Sequence, residues 1–173
     1  MIDYVGIRTL IGSELYKYMN IPVIMSDQPG DKPSYPYIGY KIITPYIRKS
    51  YSPHETVIKE NGQAFLLVQT QPKMTISINA YDKSIDGATQ RALQAHEWFS
   101  YLGRNRLKDS SVVVVETRDL ENRDIVLEDV QYERRVGFDV TLRVNDILKV
   151  PIEEFESVEI NNMTIRSDDN AIK

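Results

Sequence analysis

The side chains in this sequence that are able to take part in chemistry are few and widely spaced. Of the two histidines, His54 lies in a polar stretch and His96 in a helical pattern far downstream. Neither opens the His-Glu-x-x-His spacing that sets two imidazoles on one helix face around zinc. There is no cysteine, which removes thiolate nucleophiles, thiolate metal ligands and disulfides together. No Gly-x-Ser-x-Gly elbow exists for a serine nucleophile. Asp86-Gly87-Ala88-Thr89 lacks the Gly-Lys-Ser/Thr ending through which a phosphate loop supplies its cation and magnesium ligand. The residue types predict no catalytic group, no metal and no cofactor.

One enzyme class passes the first test of element order. A helix, three strands, a helix and a strand also describe the core of restriction-type nucleases, which hold a divalent metal between an acid on the second strand and a Glu-x-Lys or Asp-x-Lys on the third. Here the third strand reads Met74-Thr75-Ile76-Ser77-Ile78-Asn79-Ala80 and carries no acid. Glu116-Thr117-Arg118 imitates the motif later in the chain, but its arginine stays protonated and cannot act as a base. A metal-dependent nuclease therefore stands only as the alternative from another class.

Two polar clusters suit contact better than catalysis. Tyr46, Arg48, Lys49, Tyr51 and His54 gather aromatic and basic side chains that could stack on nucleic-acid bases, although Tyr and Arg are equally enriched in protein interfaces. Glu133-Arg134-Arg135 alternates across a strand and reads as an ion-pair ladder. The expected protein interface is thus Tyr46, Arg48, Lys49, Tyr51, His54 and Arg135.

The elements that must carry these residues follow from periodicity. Ile7, Leu10, Ile11, Leu15, Tyr18 and Met19 keep helical spacing over Asp3 to Met19, and Asn20 and Pro22 end the helix. Tyr35 to Ile43 predicts a strand that Thr44-Pro45 closes or puts at a sheet edge. Tyr46 to Gly62 predicts a long hairpin arm or mobile loop. Phe65 to Val68 suits a strand covered on both faces, and Met74 to Ala80 alternates as a half-buried strand. Ile85, Ala88, Ala92, Ala95, Phe99 and Leu102 form the stripe of a second helix, with Ser84 as cap and Gly103 as stop. Val112 to Val115 reads as a buried-type strand, Arg118 to Asp129 as a charged connection without assigned structure, and Tyr132 to Val144 as a long strand with one apolar and one polar face. The order predicts an α+β fold, an antiparallel or mixed sheet with two main helices packed on it.

Charge divides the chain. Residues 1–150 carry 19 basic and 19 acidic side chains, so the whole net charge of -4 lies in 151–173. The reading is one domain over 1–150 followed by an acidic tail, partly docked through Phe155, Val158, Ile160, Met163 and Ile165, with Ser167 to Lys173 loose. A neutral body lacks the field that concentrates phosphates, so no specific nucleic acid is expected as partner. The opening Met1-Ile2-Asp3-Tyr4 has no basic region before an apolar stretch, and no apolar run nears the roughly 20 residues of a membrane span, so no membrane partner is expected either.

Several segments together resemble a known family. The opening helix, Pro36-Tyr37-Ile38-Gly39-Tyr40-Lys41-Ile42, Thr75-Ile76-Ser77-Ile78-Asn79-Ala80-Tyr81 before an alanine-rich helix, and Tyr132-Glu133-Arg134-Arg135-Val136-Gly137-Phe138-Asp139-Val140 are similar to the tail-terminator or neck-terminator proteins of long-tailed bacteriophages, over residues 1–146. The resemblance implies a structural virion protein, made in the host bacterial cytoplasm and placed in the tail or neck. It implies a homo-oligomeric, usually hexameric ring that ends tail-tube growth, with the tail-tube protein and a head-tail connector protein as partners, and no catalytic residues. A head-side connector component is the near alternative.

Overall fold

A computed structural model gives the fold; it describes residues 1–48, 53–126 and 132–153, with the backbone alone of 157–160 and 163–166. Contacts divide the chain into two units: Met1–Tyr51 with Gln71–Asp146, and Ser52–Thr70 with Ile147–Lys173.

The larger unit opens with helix α1 (Tyr4–Met19). The Asp3 carboxylate accepts from the Gly6 amide; Asn20 still donates its N–H to the Tyr16 carbonyl, and its left-handed conformation (φ 53°) then turns the chain out of the helix. Ile7, Ile11 and Leu15 are buried, the inward stripe expected from their spacing. The short apolar run after Pro22 becomes strand β1 (Val23–Met25), parallel to β2 (Tyr37–Ile47). Strand β2 continues through Pro45 with register shifts there, in the half that β1 does not cover and where a missing N–H disrupts only one neighbour. Strands β5 (Lys73–Asp82), β9 (Tyr132–Val144) and β6 (Val112–Thr117) complete the sheet in the order β1-β2-β5-β9-β6, every pair after the first antiparallel. The fold class is α+β, as the pattern predicts.

Helix α2 (Ile85–Glu97) starts where the Ser84 hydroxyl accepts from the Gly87 amide, 3.0 Å away, and lies on β5 and β9. Ala88, Ala92, Ala95 and Phe99 are buried against Ile76, Ile78, Val136, Phe138 and Val140. Leu102 departs from the expected stripe and is 60% exposed. The reason is local: Trp98–Leu102 forms a wider π turn, which shifts the angular position of every later side chain. Gly103 does not stop the chain either, because its φ of -86° leads directly into helix α3 (Arg104–Asp109). Its requirement for glycine is spatial, since a Cβ there would collide with the Trp98 indole. Strand β6 is an edge strand in which Val112 and Val114 are buried and Val115 is exposed, so it alternates instead of being covered throughout. The charged connection supplies two short strands, β7 (Glu121–Asn122) and β8 (Ile125–Val126), both paired to β9.

In the smaller unit β3 (His54–Glu60) and β4 (Gln63–Thr70) form an antiparallel hairpin. Asn61 and Gly62 both have positive φ, 50° and 80°, the tight turn that Asn-Gly favours. Strand β10 (Asp146–Ile152) joins β4, giving the order β10-β4-β3. Phe65 to Val68 is only half-buried, because a three-stranded sheet has too little structure to cover both its faces. Lys149 lies 4.0 Å above the Phe65 ring and pairs with Glu60. Strands β11 (Ser157–Ile160) and β12 (Met163–Arg166) pair as a further hairpin. The tail residue Phe155 and the end that we expect to be loose, Ser167 to Lys173, lie outside the described residues.

Candidate functional site

Strands β5 and β9 turn their apolar side chains to the helices and their alternate side chains to the opposite face. The registers Ser77↔Asp139, Asn79↔Gly137 and Tyr81↔Arg135 bring the polar residues of both strands together there. Burial on this face is high for polar residues: Ser77 and Asn79 are 8% exposed and Glu133 is 5% exposed.

Arg123, just after β7, lies across the face. Its guanidinium donates to the Ser77 hydroxyl (2.7 Å), the Asn79 side-chain oxygen (3.3 Å), Asp139 (3.1 Å) and Glu121 (3.1 Å). The Arg123 amide donates to the Arg135 carbonyl, and Arg135 Nε returns a bond to the Arg123 carbonyl, both 2.8 Å. Asp124 accepts from the Arg135 amide and from the Arg134 guanidinium, each 2.8 Å away. Burial works against the Asp124 carboxylate, but these donors prevail and its pKa lies below the ordinary value. The connection is therefore a strap fastened to the sheet by a satisfied polar network.

Toward β1 and β2, Glu133 accepts from Lys32 Nζ (2.8 Å) and from the Tyr35 hydroxyl (3.2 Å). Tyr35, Tyr37 and Tyr81 stack in a column with ring centroids 5.7 and 4.5 Å apart, and Arg135 lies 5.9 Å beyond the Tyr81 ring. Tyr37 and Tyr81 of the column and the segment from Ile24 to Lys32 bound a cleft of about 280 Å³ with Glu133 in its wall. The hydrogen bond to Glu133 raises the Lys32 pKa, and burial raises those of Tyr35, Tyr37 and Tyr40. The sign of the consequence is fixed. Groups held protonated in the fold stabilise it fully below their unfolded pKa, near 10 for both types, and that stabilisation is lost as pH rises through the raised values. Melting temperature should fall as pH rises above about 10, and Tyr37→Phe should reduce the fall. Equal slopes for wild type and variant in melts across that range would refute it.

Of the six residues expected to form an interface, Tyr46 and Arg48 stand at one end of the β2–β5 ladder and Arg135 at the other end of β5. Tyr46, 45% exposed, and Arg48 lie at the end of β2 where Ile47 pairs with Lys73. Arg135 faces Tyr81 at the other end of β5, already engaged with the strap. His54 begins β3 in the smaller unit, its Nε2 3.2 Å from the Thr56 hydroxyl. Lys49 and Tyr51 lie outside the described residues. Sequence reasoning passed over Arg123, Asp124 and Lys32, whose partners come from distant strands; the matching polar positions on β5 and β9 were the available signal. Glu116, in edge strand β6, and Arg118, just after it, the imitation of the nuclease motif, are both exposed. Among the described residues no group of three or more His, Asp or Glu side chains could hold a metal ion.

The profile of the phage neck terminator protein family matches residues 4–166. The chain belongs to that family. No curated protein matches it significantly. The match continues 20 residues past the end of the resemblance at 146 and so takes in β10, β11 and β12. As a neck terminator family member the protein is a structural component of the phage neck or tail. No helix among the described residues is long and apolar enough to cross a membrane.

Proposed function

We propose that copies of this chain close into a ring, hexameric in the resemblance that suggests it, which ends growth of the tail tube and joins the tail to the head connector. Family membership carries the reading. The smaller unit supports it, because the sheet of β3, β4 and β10 leaves Val57 and Leu148 each 56% exposed. A three-stranded sheet with apolar side chains in water gains from a protein partner, and a ring supplies one by joining two different faces of each copy. Tyr46, Arg48, Lys49, Tyr51, His54 and Arg135 are the residues proposed for contacts between copies. On this reading the protein is not an enzyme and takes no cofactor, since its polar face consists of groups that satisfy one another and the strand from Met74 to Ala80 brings no acid for a metal.

Sedimentation of the purified chain, alone and with assembled tail tubes of the same phage, tests the proposal. Rings should form or be stabilised on the tubes, visible at their ends in negative stain. A chain that remains monomeric under all conditions and leaves tube ends bare would remove the terminator reading.

A further inference from the structure

The π turn after α2 does more than shift a stripe. It buries Trp98 and Phe99 while leaving the adjacent Tyr101 77% and Leu102 60% exposed. Gly103 keeps the turn tight over the indole, and α3 follows at once with Arg104, Arg106 and Lys108. Exposed apolar side chains set among charged ones suit a protein contact. Residues 91–109 hold four basic and two acidic side chains, the acids being Glu97 and Asp109. Glu14 of α1 also faces Arg106, and its pKa is lowered first by the Lys17 ammonium and further by Arg106. Basic charge remains in excess after these are counted.

The chain itself holds a segment of complementary chemistry. Between 153 and 160 it has four glutamates and no basic residue, with Phe155, Val158 and Ile160 interspersed. We propose that the α2–α3 surface receives the acidic 153–160 segment of a second copy, apolar residues against Tyr101 and Leu102 and glutamates toward Arg106 and Lys108. This rests on the reading that copies assemble; it adds which surface of one copy holds which segment of the next. The attraction accounts for placing all the net charge of the chain in one stretch while the rest stays neutral.

The test uses full-length chains, one batch labelled with ¹⁵N and one unlabelled, mixed and assembled on tail tubes, then coupled with a zero-length carbodiimide that joins lysine to carboxylate. Mass spectrometry should find Lys108 linked to Glu154, Glu156 or Glu159 in peptide pairs of mixed isotope. Leu102→Glu, an exposed change that leaves the melting temperature in place, should weaken association about tenfold or more. Lys108→Glu should remove the link and weaken association, and Glu156→Lys on the same chain should restore association. Rings that assemble without the mixed link, or that tolerate Leu102→Glu, overturn this inference and leave the terminator reading standing. Links found only within one isotope place the segment on its own copy and overturn it too. Failure to assemble at all defeats both.

Discussion

Replacing Phe138 by alanine should cost about 3 to 5 kcal/mol of folding free energy, the largest single effect expected in this protein. Phe138 is fully buried on the helix-facing side of β9 and pairs with Ile78 across the central ladder. Its ring meets Phe99 edge-on at 6.2 Å and His96 at 5.1 Å, so truncation removes two aromatic contacts besides leaving a cavity. Neither β9 nor α2 can close that gap without breaking ladder pairing or helix packing, which keeps the cost near the top of the usual range. A domain of ordinary stability, about 5 to 15 kcal/mol, loses a fifth or more of it. Urea denaturation should show a much lower midpoint with a similar slope; an unchanged midpoint would show that Phe138 is not in the core.

Gly137→Ala should cost about 2 to 3 kcal/mol, a large loss for one methyl group. Gly137 stands opposite Asn79, and a Cβ there would run into both the Asn79 side chain and the backbone carbonyl of Ile78. A side chain can turn aside, but a carbonyl in the middle of the β5–β9 ladder cannot move without disturbing the pairs on either side. Displacement of Asn79 also removes one of the acceptors that hold Arg123, so the strap should loosen with the core. Thermal melts would show the loss, and faster amide exchange at Arg123 and Arg135 would show that it spreads to the strap. A melting temperature equal to wild type would mean that the two strands are not in this register.

Local patterns in the sequence determined the elements whose stability is decided within a few residues. The α1 stripe of Ile7, Ile11 and Leu15, its Asp3 cap and the Ser84 cap of α2 are short-range matters, and so is the alternation of β5 and β9. The family resemblance was legible in the same segments, and the family match confirms it. Tertiary structure alone decided the remainder. Glu133 finds Lys32 across 101 positions and Arg123 finds Ser77 across 46, pairings that depend on strand order and register, which no local period encodes. The same holds for the interface residues, since Tyr46 and Arg135 look equally available in the sequence but stand at opposite ends of one sheet. Leu102 shows the limit at its smallest scale. Its place in a 3.6-residue repeat pointed inward, and one wider turn, packed around Trp98 with no room for a side chain at Gly103, put it on the surface.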